Sequence, residues 1–429
     1  MGALAKALFG KLPALVCAEV LDALFRDYPK RDFQVRLWDG TTWGAQRQPR
    51  FTLVIKGREA LRAMLLSPSE LSLGEAYIYD DFDIEGDVEA IFELAEFVLG
   101  RGRLEEGSGL DARLRTLPES KRPRTSLRLL RLWGDLHSRN RDRRAISYHY
   151  DLPAQFYALW LDRRMVYSCA YFATPEEDLD SAQERKLDYV CRKLRLCPGE
   201  RLLDIGCGWG GLIMHAAAHY GVQSVGITLS VPQAEVARER VREAGLEGRC
   251  RIEVADYRDI EPAPPYDKIV SVGMFEHVGE ARLPEYFRRA RDLLRPGGVF
   301  LNHGIAASAT YRRQGPSFVD RYVFPDGDLL PISTSLRAAE STGLEVRDVE
   351  SLREHYALTL HHWMRRLEAH AEEARRTTDD ITYRIWRLYM AGAAHSFRSG
   401  RLNLYQTLLA KPWHGRSGLP LTREDWYRV

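Results

Sequence analysis

The chain has 429 residues, of which 45% are hydrophobic and 28% charged, with a formal net charge of +2. This is ordinary globular composition, which excludes disordered, collagen-like and coiled-coil chains, and the charge balance gives no reason to expect nucleic acid as a partner. Six cysteines with no CxxC pair exclude a disulfide framework and a zinc ribbon, so no metal site is expected and the compartment reads as reducing.

The first residues, MGALAKALFGKLPALVCAEVLDALF, carry an apolar run broken by Glu19 and Asp22. That pattern suits neither a signal peptide nor a spanning helix of ~20 apolar residues. Lys6 stands where myristoylation of Gly2 would need Ser or Thr. A cytoplasmic protein is expected. Residues 1–100 read as a small α+β domain. Phe33, Val35 and Leu37 alternate with polar residues, Asp39-Gly40 offers a turn, FTLVIKG reads as a further strand, and the spacing from Val88 to Leu99 predicts a helix. No chemical motif lies there.

Residues 101–145 read as a basic linker helix. The stretch 101–150 carries +7, and Leu129, Leu132, Trp133 and Leu136 recur at helical spacing between arginines. Such a helix either lies on an anionic lipid surface or packs on its own protein with its arginines in water.

From about residue 185, strands and helices alternate. RLLDI, VQSVGIT, RIEVAD, DKIVSV and GVFLNHG read as strands, with helices at LIMHAAAHY, PQAEVARERVREAG and RLPEYFRRARDLL, the last ended by Pro296-Gly-Gly. This alternation predicts an α/β fold with a parallel sheet covered on both faces. Residues 306–340 break the rhythm as an insert, and a helical tail follows from about 351.

The turn Asp204-Ile-Gly206-Cys-Gly208-Trp-Gly210 follows the first of these strands and opens a helix. Its form is DxGxGxG, and the second strand ends in Gly226-Ile-Thr228-Leu-Ser230 without the ribose-binding acid a dinucleotide site uses. S-adenosylmethionine fits better than NAD. Asp204 would cap or position the loop, and Asp256, closing the third strand, would bond the adenine amino group. Cys17, Cys191, Cys197 and Cys250 read as small buried residues, and Cys207 is given no role.

His149-Tyr-Asp-Leu, Tyr167-Ser-Cys-Ala-Tyr-Phe172, LLDIGCGWGG, GITLS with Gln233, MFEHVG and HYALTL together resemble the cyclopropane-fatty-acyl-phospholipid synthase family, which includes the mycolic acid cyclopropane synthases. The resemblance spans residues 146–410. LGEAYIYDDFD also resembles the N-terminal domain of phospholipid-acting members, marking residues 1–100 as lipid-associated. It implies a class I S-adenosylmethionine-dependent methyltransferase (Rossmann-like) domain over 146–429. It further implies methylene transfer to a cis double bond of an unsaturated phospholipid acyl chain, with a bound bicarbonate deprotonating the resulting carbocation. The bicarbonate ligands would be Cys169, Glu276, His303, Tyr356 and the backbone of Ile305. The cofactor contacts would be Tyr167, Ser168, Gly206, Gly208, Thr228 and Gln233, with Tyr257 flanking the adenine where relatives often carry Trp.

The insert departs from the family pattern at Phe324-Pro-Asp-Gly-Asp-Leu-Leu-Pro331, where Asp326 and Asp328 add charge to the expected acyl-pocket wall. Tyr171, Phe172 and Tyr322 are ring faces that would either steady a cation or simply pack the core. His277 reads as structural. The expected partners are a membrane phospholipid, an anionic membrane surface and, as an option, a second copy of the chain in a homodimer. The expected location is the cytoplasm, peripheral to the inner face of the membrane. A methyl or exomethylene product from the same carbocation, or a non-catalytic lipid-binding module, are the alternatives.

Overall fold

A computed structural model describes residues 17–45, 47–100, 109–119, 139, 141–142, 152–262, 264–311 and 317–427. The chain divides into two units. The first comprises Met1–Leu129, Gln314–Val323 and Asp380–Gly392, and the second the remainder. The insert and the C-terminal tail each lend a segment to the first unit.

The first unit holds a four-stranded sheet in the order β2-β1-β3-β4, from β1 (Phe33–Arg36), β2 (Thr42–Gly44), β3 (Phe51–Ile55) and β4 (Phe82–Gly86). Alternation in β1 puts Phe33 and Val35 in the core. The predicted helix begins later than Val88 and spans Ile91–Gly100.

LGEAYIYDDFD owes its form to what the two distant segments bring. Arg384, 6% exposed, reaches Asp80 at 2.8 Å and Asp83 at 3.0 Å, and its guanidinium lies over the Tyr77 ring. Glu75 accepts from the Tyr322 hydroxyl at 2.8 Å. Tyr322 thus belongs to the first unit's packing.

The second unit is built on a seven-stranded sheet in the order β10-β11-β9-β8-β5-β6-β7. Its strands are β5 (Arg201–Ile205), β6 (Gln223–Thr228), β7 (Cys250–Val254), β8 (Tyr266–Val272), β9 (Leu294–Ala307), β10 (Glu345–Ser351) and β11 (Leu402–Ala410). Strands β5 to β9 run parallel, as the alternation predicts. β11 pairs antiparallel with both β9 and β10, so the sheet is mixed and the tail is not wholly helical. The helix Leu283–Leu293 ends before Pro296-Gly-Gly, which lies inside β9. Buried aliphatic and aromatic clusters cover both faces. Cys197 is exposed, contrary to the sequence reading, while Cys17, Cys191 and Cys250 are buried. Among the described residues no helix is long and apolar enough to cross a membrane.

Gly74, in the helix Glu70–Ile78, tests the first unit's construction. A Cβ there would sit 2.4 Å from the buried Phe318 ring. Gly74→Ala is expected to lower stability by roughly 1–3 kcal/mol, as overpacking does. In a Phe318→Ala background the loss should largely disappear, a coupling that urea-denaturation midpoints of the four proteins would measure.

Candidate active site

β6 and β7 follow β5 on one side of the sheet, and β8 and β9 lie on the other. In such sheets the crevice beyond the strand ends, where the order reverses, receives the ligand. One cavity opens there. It is lined by all nine residues assigned to the cofactor: Tyr167, Ser168, Asp204, Gly206, Gly208, Thr228, Gln233, Asp256 and Tyr257.

Gly206 leaves β5 with φ +91, and a Cβ would lie 3.0 Å from Met274. Its N–H and that of Cys207 both donate to the carbonyl of Ile227 at 2.9 Å, which fixes the turn. The following helix, Gly211–Tyr220, starts at Gly210 without a side-chain cap, so Asp204 does not cap it. Instead Asp204 is buried in the cavity wall with Oδ1 lacking a partner. Burial pushes its pKa up to about 7, against the pull of Lys186. Thr228 donates to Gln233 at 3.0 Å.

Asp256 lies past the end of β7. It accepts from Arg258 Nε at 2.8 Å and from the Arg258 N–H at 3.0 Å, and Arg258 also reaches Asp142 at 3.1 Å. Burial raises the Asp256 pKa, but these bonds prevail and hold it below the ordinary value. A glycine-lined turn, a partnerless buried acid and a ring wall at Tyr257 fit the nucleoside and charged tail of S-adenosylmethionine.

The five residues assigned to bicarbonate do not line this cavity. Glu276, His303 and Ile305 gather at the ends of β8 and β9. Glu276 Oε1 accepts the Ile305 N–H at 2.8 Å. Glu276 Oε2 is buried without a partner. Burial pushes the Glu276 pKa up to about 7, although the Ile305 bond opposes the shift.

His303 is 1% exposed, and its Nδ1 contacts the Gln406 amide at 3.2 Å across the β9–β11 pairing. Its Nε2 has no partner. Burial, then Lys186 and Lys193, lower its pKa, which keeps the ring neutral. With Nδ1 accepting from the Gln406 amide, the proton sits on Nε2. Gln406 thus orients the imidazole.

Cys169 and Tyr356 meet at another point, the carbonyl of Leu352. It accepts the Tyr356 N–H at 3.0 Å, and Cys169 Sγ lies 3.9 Å away. The thiol also donates to the Ala170 carbonyl at 3.2 Å, and burial raises its pKa, so it stays protonated. The Tyr356 ring packs against Phe397 at 4.7 Å. Tyr171 stacks on His355 at 4.7 Å and Phe172 on His362 at 5.4 Å, which is core packing.

The insert's two departures are tied to this region. The Asp328 N–H donates to the Glu276 carbonyl at 3.0 Å, and Asp326 takes a two-pronged bond from Arg141 at 2.6 and 2.8 Å. Arg139 pairs with Asp259 at 2.8 Å. These two arginines of the basic segment thus pair with acids of the same unit. Arg128, Arg131 and Arg143, and the stripe of Leu129, Leu132, Trp133 and Leu136, lie outside the described residues. Sequence reading also missed Lys186, Arg258 and His277 as cavity residues.

Residues 137–407 match the family model described as mycolic acid cyclopropane synthetase. The chain belongs to that family. Residues 20–96 match a separate domain of unknown function. A probable fatty acid methyltransferase of Pseudomonas putida is 42% identical over 92% of this chain and 96% of its own length. The cyclopropane-fatty-acyl-phospholipid synthase of Escherichia coli K12 is 37% identical over 61% of this chain and 66% of its own. A mycolic acid cyclopropane synthase complexed with S-adenosylhomocysteine and CTAB superposes with a TM-score of 0.59 at 35% identity, covering 62% of this chain and 97% of that one. The protein is thus an S-adenosylmethionine-dependent methyltransferase with the corresponding α/β fold.

The burial of Glu276 has a measurable signature. Its folded pKa, about 7, lies above the ordinary 4.5. Between those values the folded state keeps a proton that the unfolded state has lost, so wild-type stability falls as pH rises from about 4.5 to 7. Glu276→Gln has no such titration. Relative to wild type it should gain roughly 1–3 kcal/mol between pH 4.5 and pH 8, read from urea midpoints at the two pH values.

Proposed function

We propose that the protein transfers the methyl carbon of S-adenosylmethionine to a cis double bond of an unsaturated phospholipid acyl chain and closes a cyclopropane ring. The observation that carries this reading is the pair of partnerless, fully buried polar atoms Glu276 Oε2, just past the end of β8 that borders the cofactor cavity, and His303 Nε2 on the neighbouring β9. When bound, the cofactor supplies an electrophilic methyl group. An alkene is a weak nucleophile, so the protein must hold the acyl chain in place and exclude water.

Ring closure forms one C–C bond and breaks one C–H bond of the added methyl, and the proton leaves to a base. Glu276, His303 and Tyr356 would hold the bicarbonate that serves as this weak base. His303 presents Nε2–H, and Glu276, protonated in part near neutrality, presents a second donor in place of a repelling charge. The occupied Ile305 amide and the carbonyl-bound Cys169 thiol leave three side chains for the anion where the resemblance implied five ligands.

A second reading has its own support. The relative matched over nearly the whole chain bears the name of a fatty acid methyltransferase, while the cyclopropane synthase of E. coli matches over 61%. A hydride shift and loss of a different proton give an exomethylene branch, and a saturated methyl branch then takes two electrons and two protons from a reductant. The substrate's place in a bilayer makes the inner membrane face the proposed location, with the enzyme docked peripherally on anionic lipid.

Incubation with cis-unsaturated phospholipid vesicles and methyl-labelled S-adenosylmethionine separates the two products. The expected result is a mass gain of one CH2 and upfield ring-methylene signals in the NMR spectrum. Vinylic methylene signals would favour the branch, and absence of any labelled lipid would overturn both readings.

Glu276→Gln, His303→Ala and Tyr356→Phe should each lower kcat by about tenfold or more, leaving S-adenosylhomocysteine affinity within about twofold. Removing dissolved carbon dioxide should slow the wild type and added bicarbonate restore it. A rate indifferent to bicarbonate removes that ion from the site.

A further inference from the structure

The helix Leu179–Leu194 turns Lys186 into the cofactor cavity, where the side chain lines the wall while being 2% exposed. Nζ donates to Ser168 Oγ at 2.9 Å. That is its single hydrogen bond among the described residues, and it forms no ion pair with them. A desolvated ammonium without an anion is strongly unfavourable unless a ligand completes it.

The titratable groups facing Lys186 come from several elements. They are Asp162 after the helix Ala154–Ala158, Cys169 beside Ser168, Cys191 on its own helix, Asp204 at the end of β5, and His303 on β9. Asp162 is committed to the N–H groups of Arg164 and Val166, at 2.9 and 2.8 Å. The cysteines are protonated and His303 is neutral. Asp204 is buried in the same wall with Oδ1 unpartnered, yet it makes no ion pair with the lysine.

The cavity therefore presents one buried cation and one buried acid, held apart, each short of a partner. An α-amino acid end group supplies the complement of both, since it carries a carboxylate and an ammonium on one carbon. Resting on the reading of this cavity as the S-adenosylmethionine site, we propose that Lys186, together with the Ser168 hydroxyl, anchors the carboxylate of the cofactor's methionyl end. A lysine here serves binding and placement of the cofactor; it takes no proton in the reaction. Its burial excludes the water that would otherwise screen the charge pair, and Ser168 removes the freedom of its long side chain.

Calorimetric titration of the full chain with four adenosine thioethers at pH 7 tests the anchor. They are S-adenosylhomocysteine, its desamino analogue that keeps the carboxylate, its decarboxylated analogue that keeps the amine, and 5′-butylthioadenosine with neither. Wild type should bind the desamino compound roughly 10- to 100-fold more tightly than the butyl compound. Lys186→Met should lose about that factor for the two carboxylate-bearing ligands and stay within about twofold for the other two. Lys186→Arg should recover most of the loss.

Equal weakening of all four ligands in Lys186→Met would mean that the lysine only shapes the Ser168 loop, which overturns the proposal. So would a wild type that does not favour the desamino compound over the butyl one, a result that needs no variant to fold. Failure of wild type to bind S-adenosylhomocysteine at all would overturn the cofactor reading, and the anchor with it.

Discussion

Between β5 and β8 the strand order changes direction, and in such a sheet a crevice opens there beyond the strand ends. Each parallel strand there hands over its chain at the same edge. β5 delivers Asp204 and the glycine turn, β6 delivers Thr228, and β8 delivers the segment that carries Glu276. β9, parallel to β8, brings His303 opposite Val272. A change in pairing register by one residue would turn His303 to the other face of the sheet. β11 protects against this, since it pairs with β9 along nine consecutive residues and places Gln406 against the imidazole.

A second theme is desolvation. Glu276, Asp204, Lys186 and His303 all have pKa values displaced by burial as the first cause, each toward its uncharged form. Groups held toward neutrality by burial regain charge or donor strength when a partner arrives, so binding and protonation are coupled. The close approach of Phe275 to Gly304 holds this arrangement in place. A Cβ at Gly304 would fall 1.8 Å from that ring, so the segment carrying Glu276 lies directly on the strand carrying His303.

Much of the second unit was legible because its strands and helices have different periods and because DxGxGxG marks a turn with few alternatives. Asp204 and Asp256 were legible from their places at strand ends, whereas Tyr167, Ser168, Gly206, Gly208, Thr228, Gln233 and Tyr257 came from the family resemblance; all nine line one cavity. What stayed hidden depends on long-range pairing. β11 contains Leu402, Leu404 and Leu408 at strand spacing, yet it follows three helices and nothing local says that it enters the sheet between β9 and β10. Gln406 therefore had no visible role. Lys186 lies in a helix rich in charge, where one lysine turned inward cannot be told from its solvated neighbours. The bond between the Ile305 N–H and Glu276 was equally hidden, because it too exists only in three dimensions.

The first unit gathers chain from three places, the last of them ending at Gly392. Arg384 and Tyr322, which neutralise or bond its acidic motif, therefore leave the ribosome some 240 to 300 residues after Glu75 and Asp80. A nascent chain carrying residues 1–100 alone holds Glu75, Asp80 and Asp83 with none of those partners. Those contacts can therefore form only after most of the chain has been made.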